Sequence, residues 1–127
     1  MDILLDTHAI IWFFEGDNRL SKTAIDIIYN LENTIYVSIA SVWEVAIKLS
    51  TGKLKFNGGI ENFIETVCKN EFDLLAISPD HIKAIAELPF VHRDPFDRML
   101  VTQAMVENIT IVTVDENISK YDVSAIW

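Results

Sequence analysis

Met1-Asp2-Ile3-Leu4-Leu5-Asp6-Thr7-His8 opens the chain, and its middle decides the fold. Ile3, Leu4 and Leu5 form a short continuous apolar run, as expected of a strand buried on both faces of a parallel sheet. The run stops on a carboxylate, Asp6. In an open α/β sheet, ligands bind in the crevice at the carboxyl ends of the central strands, near the point where strand order reverses. That puts Asp6 at the lip of the crevice. Ile109-Thr110-Ile111-Val112-Thr113-Val114 repeats the construction and ends on Asp115. Two buried strands thus deliver two carboxylates to one edge.

Between these two strands, helix and strand signals alternate. Ala9–Phe14 is apolar on every side and reads as a short helix, packed in the core or in a subunit contact. Ser21 caps a second helix that closes near Asn30, and Thr34–Val37 is the second strand. Ser38 or Ser41 caps a helix running to Ser50, with Gly52 as its C-cap. Ile60–Lys69 is amphipathic, and Leu74–Ile77 is a third strand. Ser78-Pro79 starts a helix that Leu88-Pro89 ends, and Asp94-Pro95 opens another from Phe96 to about Glu107. After Asp115, residues 116–122 read as a loop and Val123–Ile126 as a weak last strand. The alternation predicts a three-layer α/β/α fold with a central, mainly parallel sheet and right-handed crossovers. The chain has 127 residues, which fits a single domain over 1–127.

No apolar run approaches the roughly 18 residues of a membrane span, and no basic region followed by an apolar stretch marks the start, so a soluble, cytoplasmic protein is expected. Cys68 is the single cysteine, which excludes an intrachain disulfide and a cysteine-based zinc site. His8, His81 and His92 lack a ligand-like spacing. The net charge of −9 argues against a simple electrostatic binder of nucleic acid. It is compatible with a metal-dependent one, because divalent cations held by acids reverse the local sign.

Taken singly, the acids have ordinary explanations. Asp6 and Asp115 could cap the helices that follow them, and Asp94, before Pro95, is explained fully by N-capping. Glu44 could pair with Lys48 at i, i+4, and Asp97 sits in a first helical turn where the macrodipole favours a carboxylate. Together they say more. Strand ends and the first turns of the following helices share one edge of such a sheet, so Asp6, Glu44, Asp97 and Asp115 can converge. Four carboxylates in one crevice repel one another unless a cation compensates, and hard oxygen donors select Mg²⁺ or Mn²⁺. One or two such ions suit phosphodiester hydrolysis.

Leu5-Asp6-Thr7-His8, Ser38-Ile39-Ala40-Ser41-Val42-Trp43-Glu44, the block His92-Arg93-Asp94-Pro95-Phe96-Asp97-Arg98-Met99-Leu100, and Thr113-Val114-Asp115 together resemble the PIN-domain family. More specifically they resemble its VapC-type toxins, over the whole chain and in order. The resemblance implies an endoribonuclease whose Asp6, Glu44, Asp97 and Asp115 bind Mg²⁺ or Mn²⁺, with Thr113 as a supporting hydroxyl and Asp94 as the helix cap. It further implies a tRNA or rRNA substrate, a homodimer, and a small cognate antitoxin that covers the site. Lys48, Lys53 and Lys55, with Arg93 and Arg98, form a candidate basic rim for RNA. Two other readings stand beside it. A two-component receiver domain would need an adjacent acidic pair after the first strand and a lysine after the last, and both are missing. A noncatalytic PIN relative is expected to lack one of the four acids.

Overall fold

The computed structural model describes residues 1–127. Five strands, β1 (Asp2–Leu5), β2 (Thr34–Ser38), β3 (Asp73–Leu75), β4 (Thr110–Val112) and β5 (Ala125–Ile126), form one sheet in the order β3-β2-β1-β4-β5. All four pairings are parallel. The helices are α1 (Thr7–Glu15), α2 (Lys22–Tyr29), α3 (Ile39–Ser50), α4 (Gly59–Lys69), α5 (Pro79–Glu87), α6 (Pro95–Glu107) and α7 (Glu116–Ser119). The chain builds outward from β1 through β2 to β3, then returns to the other side of β1 for β4 and β5. The order therefore reverses beside β1, where this class of sheet opens a crevice.

The central run behaves as its composition predicts. Ile3, Leu4 and Leu5 have no exposed surface. Ile3 and Leu5 join one apolar cluster with Ala9, Ile10, Val45 and Phe63, while Leu4 joins another with Leu100, Val101, Ile111 and Ile118. Alternate residues of one strand thus feed cores on opposite faces, with α1 to α4 covering one and α6 and α7 the other. Trp12, Phe13 and Phe14 are half-buried against the first cluster, and Phe14 stacks on Phe72 at 6.2 Å. No helix is long and apolar enough to cross a membrane.

Several boundaries differ from the sequence expectation. β3 covers Asp73–Leu75 rather than 74–77, because its one partner ends at Ser38, opposite Leu75. β4 stops at Val112 because β1 stops at Leu5, its register partner. Residues 116–119, expected as loop, form α7 around the buried Ile118. β5 shrinks to two residues. Ser38, not Ser41, caps α3, and at its other end the cap is Thr51, with Gly52 following at φ +75°. A left-handed residue there lets the Lys53 N–H reach back to the Lys48 carbonyl at 2.9 Å.

Candidate active site

Asp6 ends β1 and turns the chain into α1. One carboxylate oxygen accepts from the Ala9 N–H at 2.7 Å, as an N-cap, and the other accepts from the Thr113 hydroxyl. The side chain is almost fully buried. Burial pushes its pKa up, the Thr113 and Ala9 hydrogen bonds and His8 oppose the rise, and Asp115 adds repulsion. Asp115 follows β4 and caps α7, accepting from the Asn117 N–H at 2.8 Å. Its own N–H donates to the Thr113 hydroxyl oxygen at 3.0 Å. Thr113 therefore joins the ends of the two central strands, donating to one acid and accepting from the backbone of the other.

Asp97 lies in the first turn of α6, above the cap formed by Asp94, which accepts from the Phe96 and Asp97 N–H groups at 2.9 and 3.1 Å. Its carboxyl is pushed up to about 8, first by burial and then by repulsion from Asp94, Asp115, Glu44 and Asp6. The other three acids singled out from the sequence all act on this one group. Glu44, on α3, pairs with Lys48 at 3.0 Å, so the i, i+4 contact is present beside the convergence. Hydrogen bonds tie the helices that carry these groups. The Thr7 hydroxyl donates to Ser41 at 3.0 Å, joining α1 to α3, and the Ser38 hydroxyl donates to Gln103, joining β2 to α6.

Sequence reasoning gave His92 no role, yet its ring lies with Asp97 and Asp115, the three offering ligand atoms within 4.8 Å of one another. Hydrogen-bond accounting fixes what the ring does. The Tyr121 oxygen accepts from Arg98 at 3.2 Å and from the His92 N–H at 3.4 Å. With both acceptor positions used, its hydrogen points at His92 Nδ1, 2.9 Å away. In the neutral ring the proton then sits on Nε2, which faces Asp97 Oδ2 at 3.4 Å. His92 in this tautomer donates to Asp97 and orients it, so the available donor set is carboxylate oxygen. Crowded, partly buried carboxylates without thiolate or free imidazole fit a hard divalent cation such as Mg²⁺ or Mn²⁺.

The family model described as PIN domain matches residues 3–124. The chain belongs to the PIN domain family. No curated protein matches the sequence. Among solved structures, it resembles VapBC2 from Rickettsia felis bound to a promoter DNA fragment, with a TM-score of 0.75 at 17% identity. That match covers 100% of this chain and 99% of the other. VapBC-1 from nontypeable Haemophilus influenzae matches with a TM-score of 0.71 at 16% identity, covering 99% and 97% of the two chains. The PIN domain endonuclease Utp24 is more distant, at 0.52 and 17%, covering 93% and 74%. Identities this low establish the shared fold. Family membership removes the receiver-domain alternative.

Within this PIN domain the predicted basic rim divides. Lys53, Lys55 and Arg93 are exposed and Lys48 is half-buried on Glu44. Arg98 is a correction. It is 5% exposed, donates to the Pro89 and Leu88 carbonyls at 2.8 and 3.1 Å and to Tyr121, and lies over the Phe90 ring at 4.0 Å. All of its charge is spent on holding the loop before α6, and none faces solvent for RNA. That loop carries His92, so Arg98 and Tyr121 support the site from behind.

Proposed function

We propose that this PIN domain is a Mg²⁺- or Mn²⁺-dependent endoribonuclease, the toxin of a toxin-antitoxin pair. The observation that carries the reading is the partly buried Asp97 carboxyl, whose ligand atom lies within 4.8 Å of that of Asp115 and which burial, Asp94, Asp115, Glu44 and Asp6 together push up. Crowding of that kind is costly without a compensating cation and useful with one. Asp6, Glu44, Asp97 and Asp115 would hold the ion. When bound, a divalent cation polarises a phosphoryl oxygen and lowers the pKa of water for attack on a phosphodiester.

The chain's own groups set the stage for that step. Thr113 holds Asp6 by its hydroxyl and Asp115 by its backbone, fixing two carboxylates relative to each other. His92 presents a proton to Asp97, and the Asp94 cap fixes the helical turn that carries it. The likeness to VapBC complexes supports an antitoxin partner that covers the site. A homodimer in the cytoplasm, and a structured RNA such as tRNA or rRNA as substrate, complete the reading. The noncatalytic alternative lacks its expected mark, since none of the four acids is missing from the chain.

The test is cleavage of labelled total RNA by antitoxin-free protein with Mn²⁺ or Mg²⁺, with chelator, and by the Asp97→Asn variant. Discrete metal-dependent fragments lost in the variant are expected. A folded wild-type protein that cuts no RNA with either metal would overturn the proposal.

A further inference from the structure

Beside the four acids, between α1 and the C-terminal end of α3, lies an open cleft of 260 Å³. Its walls include His8, Trp12, Arg19, Lys48 and Lys53, with Glu15 as its one carboxylate. The chain has ten lysines and arginines against nineteen acids, and three of the ten gather here. Two of the three are paired with acids at the cleft's edge, Arg19 with Asp17 and Lys48 with Glu44, and Lys53 is left to meet an anion. The cleft also gathers planar side chains around Trp12. Arg19 lies over the Trp12 ring at 4.7 Å, and the His8 ring is 5.6 Å from Trp12 and tilted by 40°. Trp127 packs edge-on to Trp12 at 5.8 Å.

Arg19 is pinned in this pose by Asp17, which accepts from its Nε and Nη2 at 3.1 and 2.7 Å. Asp17 leaves Nη1 and the outer face of the guanidinium plane open, and His8 is exposed. The cleft meets the acids at two points. Lys48 lies 3.0 Å from Glu44, and His8 is close enough to act on Asp6 electrostatically. A strand whose phosphodiester lay at the acids would extend its neighbouring nucleotide along α1 into this cleft.

We propose that the α1–α3 cleft is a nucleotide subsite for RNA, in which Arg19 and His8 offer stacking surfaces over Trp12 while Lys53 takes the adjoining phosphate. The assignment rests on the ribonuclease reading and names the part of the chain that would grip substrate next to the cut. Unpaired bases stack on histidine and on arginine planes, and lysines beside them contact the backbone. An acidic peptide would use the cations but leave the exposed His8 ring and the guanidinium face of Arg19 without a role, so RNA is the occupant the cleft favours.

The test separates binding from hydrolysis. Anisotropy of a fluorescein-labelled, randomised RNA of about 12 nucleotides is followed in the Asp97→Asn background with Mg²⁺, across a salt series, while cleavage is assayed in wild type. Arg19→Glu with Lys53→Glu should weaken binding at least about tenfold and flatten the log-affinity against log-salt slope by about 0.7, the one phosphate contact of Lys53. His8→Ala should weaken it about fivefold with the slope unchanged, since stacking is neutral. Lys83→Glu, exposed on α5, should bind as the parent does.

Equal binding and slope in the Arg19/Lys53 variant and the parent would overturn the subsite. So would a parent that ignores the RNA but holds fluorescein-labelled hexaglutamate through these residues, or one that holds neither. RNA binding lost in the cleft variants, together with no metal-dependent cleavage by wild type, would keep the subsite and remove the hydrolysis.

Discussion

Replacing Asp97 by asparagine should stabilise the metal-free protein at alkaline pH and do little at acid pH. The unfolded carboxyl loses its proton near 3.8 and the folded one near 8. Between those values the folded chain binds more protons than the unfolded one, so stability is fully present below 3.8 and is lost as pH rises toward about 8. Carrying the group from 3.8 to about 8 corresponds to about 5–6 kcal/mol at about 1.4 kcal/mol per pH unit. The side chain is 20% exposed and water screens its neighbours, so about half of that, roughly 2–3 kcal/mol, is the expected gain. Asparagine keeps the shape and an acceptor for His92 while removing the charge.

In thermal melts with chelator, that gain appears as a Tm about 10 °C above wild type near pH 8.5 and about equal to it near pH 4. Asp6, whose carboxyl burial also pushes up, leaves the variant a residual fall with pH. With Mn²⁺ the order should invert, since wild type gains a bound ion and the variant loses a ligand. A variant less stable than wild type at alkaline pH without metal would refute the argument. It would mean that Asp97 serves the dipole of α6 and not a crowded cation site.

Calorimetric Mn²⁺ affinity should fall about tenfold per pH unit below about 8, as the ion competes with the Asp97 proton; a flat profile would contradict the convergence of the four acids. Thr113→Val leaves a buried Asp6 oxygen and the Asp115 N–H without a partner, and should cost about 1–3 kcal/mol in urea unfolding as well as most of the cleavage. Arg98→Lys cannot reach two carbonyls and a phenol at once, and should lose about 2 kcal/mol and lower Mn²⁺ affinity through the His92 loop, measured by the same two methods.

What the sequence makes legible here is whatever a strand or helix carries by its own periodicity. Ile3–Leu5 and Ile109–Val112 announce buried strands, and each is followed by an acid whose place at the sheet edge comes with the topology. Asp97 is legible for the same reason, as a residue of a proline-opened first turn. Strand lengths are not legible in one segment, because a strand ends where its neighbour ends, as β3 does at the limit of β2. The Arg98–Tyr121–His92 contact is not legible because it spans 23 to 29 residues and passes through a loop with no periodicity. Arg98 looked like a rim cation because charge alone predicts exposure. The only hint of its burial is its place one turn into a helix whose next six residues are buried.

Asp94 shows how capping and charge crowding can be separated, since one residue does both. It caps α6 through two backbone N–H groups, and it is the first of the charges that repel Asp97. It is exposed, whereas Asp6 caps α1 from a buried position held by Thr113. Asparagine caps helices about as well as aspartate, so Asp→Asn at either position removes charge and keeps the cap. Asp94→Asn should then leave stability near wild type, lower the pH at which Asp97 ionises, and retain cleavage with its acid limb moved to lower pH. Asp6→Asn should abolish cleavage and Mn²⁺ binding with the fold intact. If Asp94→Asn also abolished Mn²⁺ binding, Asp94 would be a ligand and the site would hold five acids. If Asp6→Asn retained binding, capping alone would explain the residue, and the cation would be held on the α6 side of the crevice.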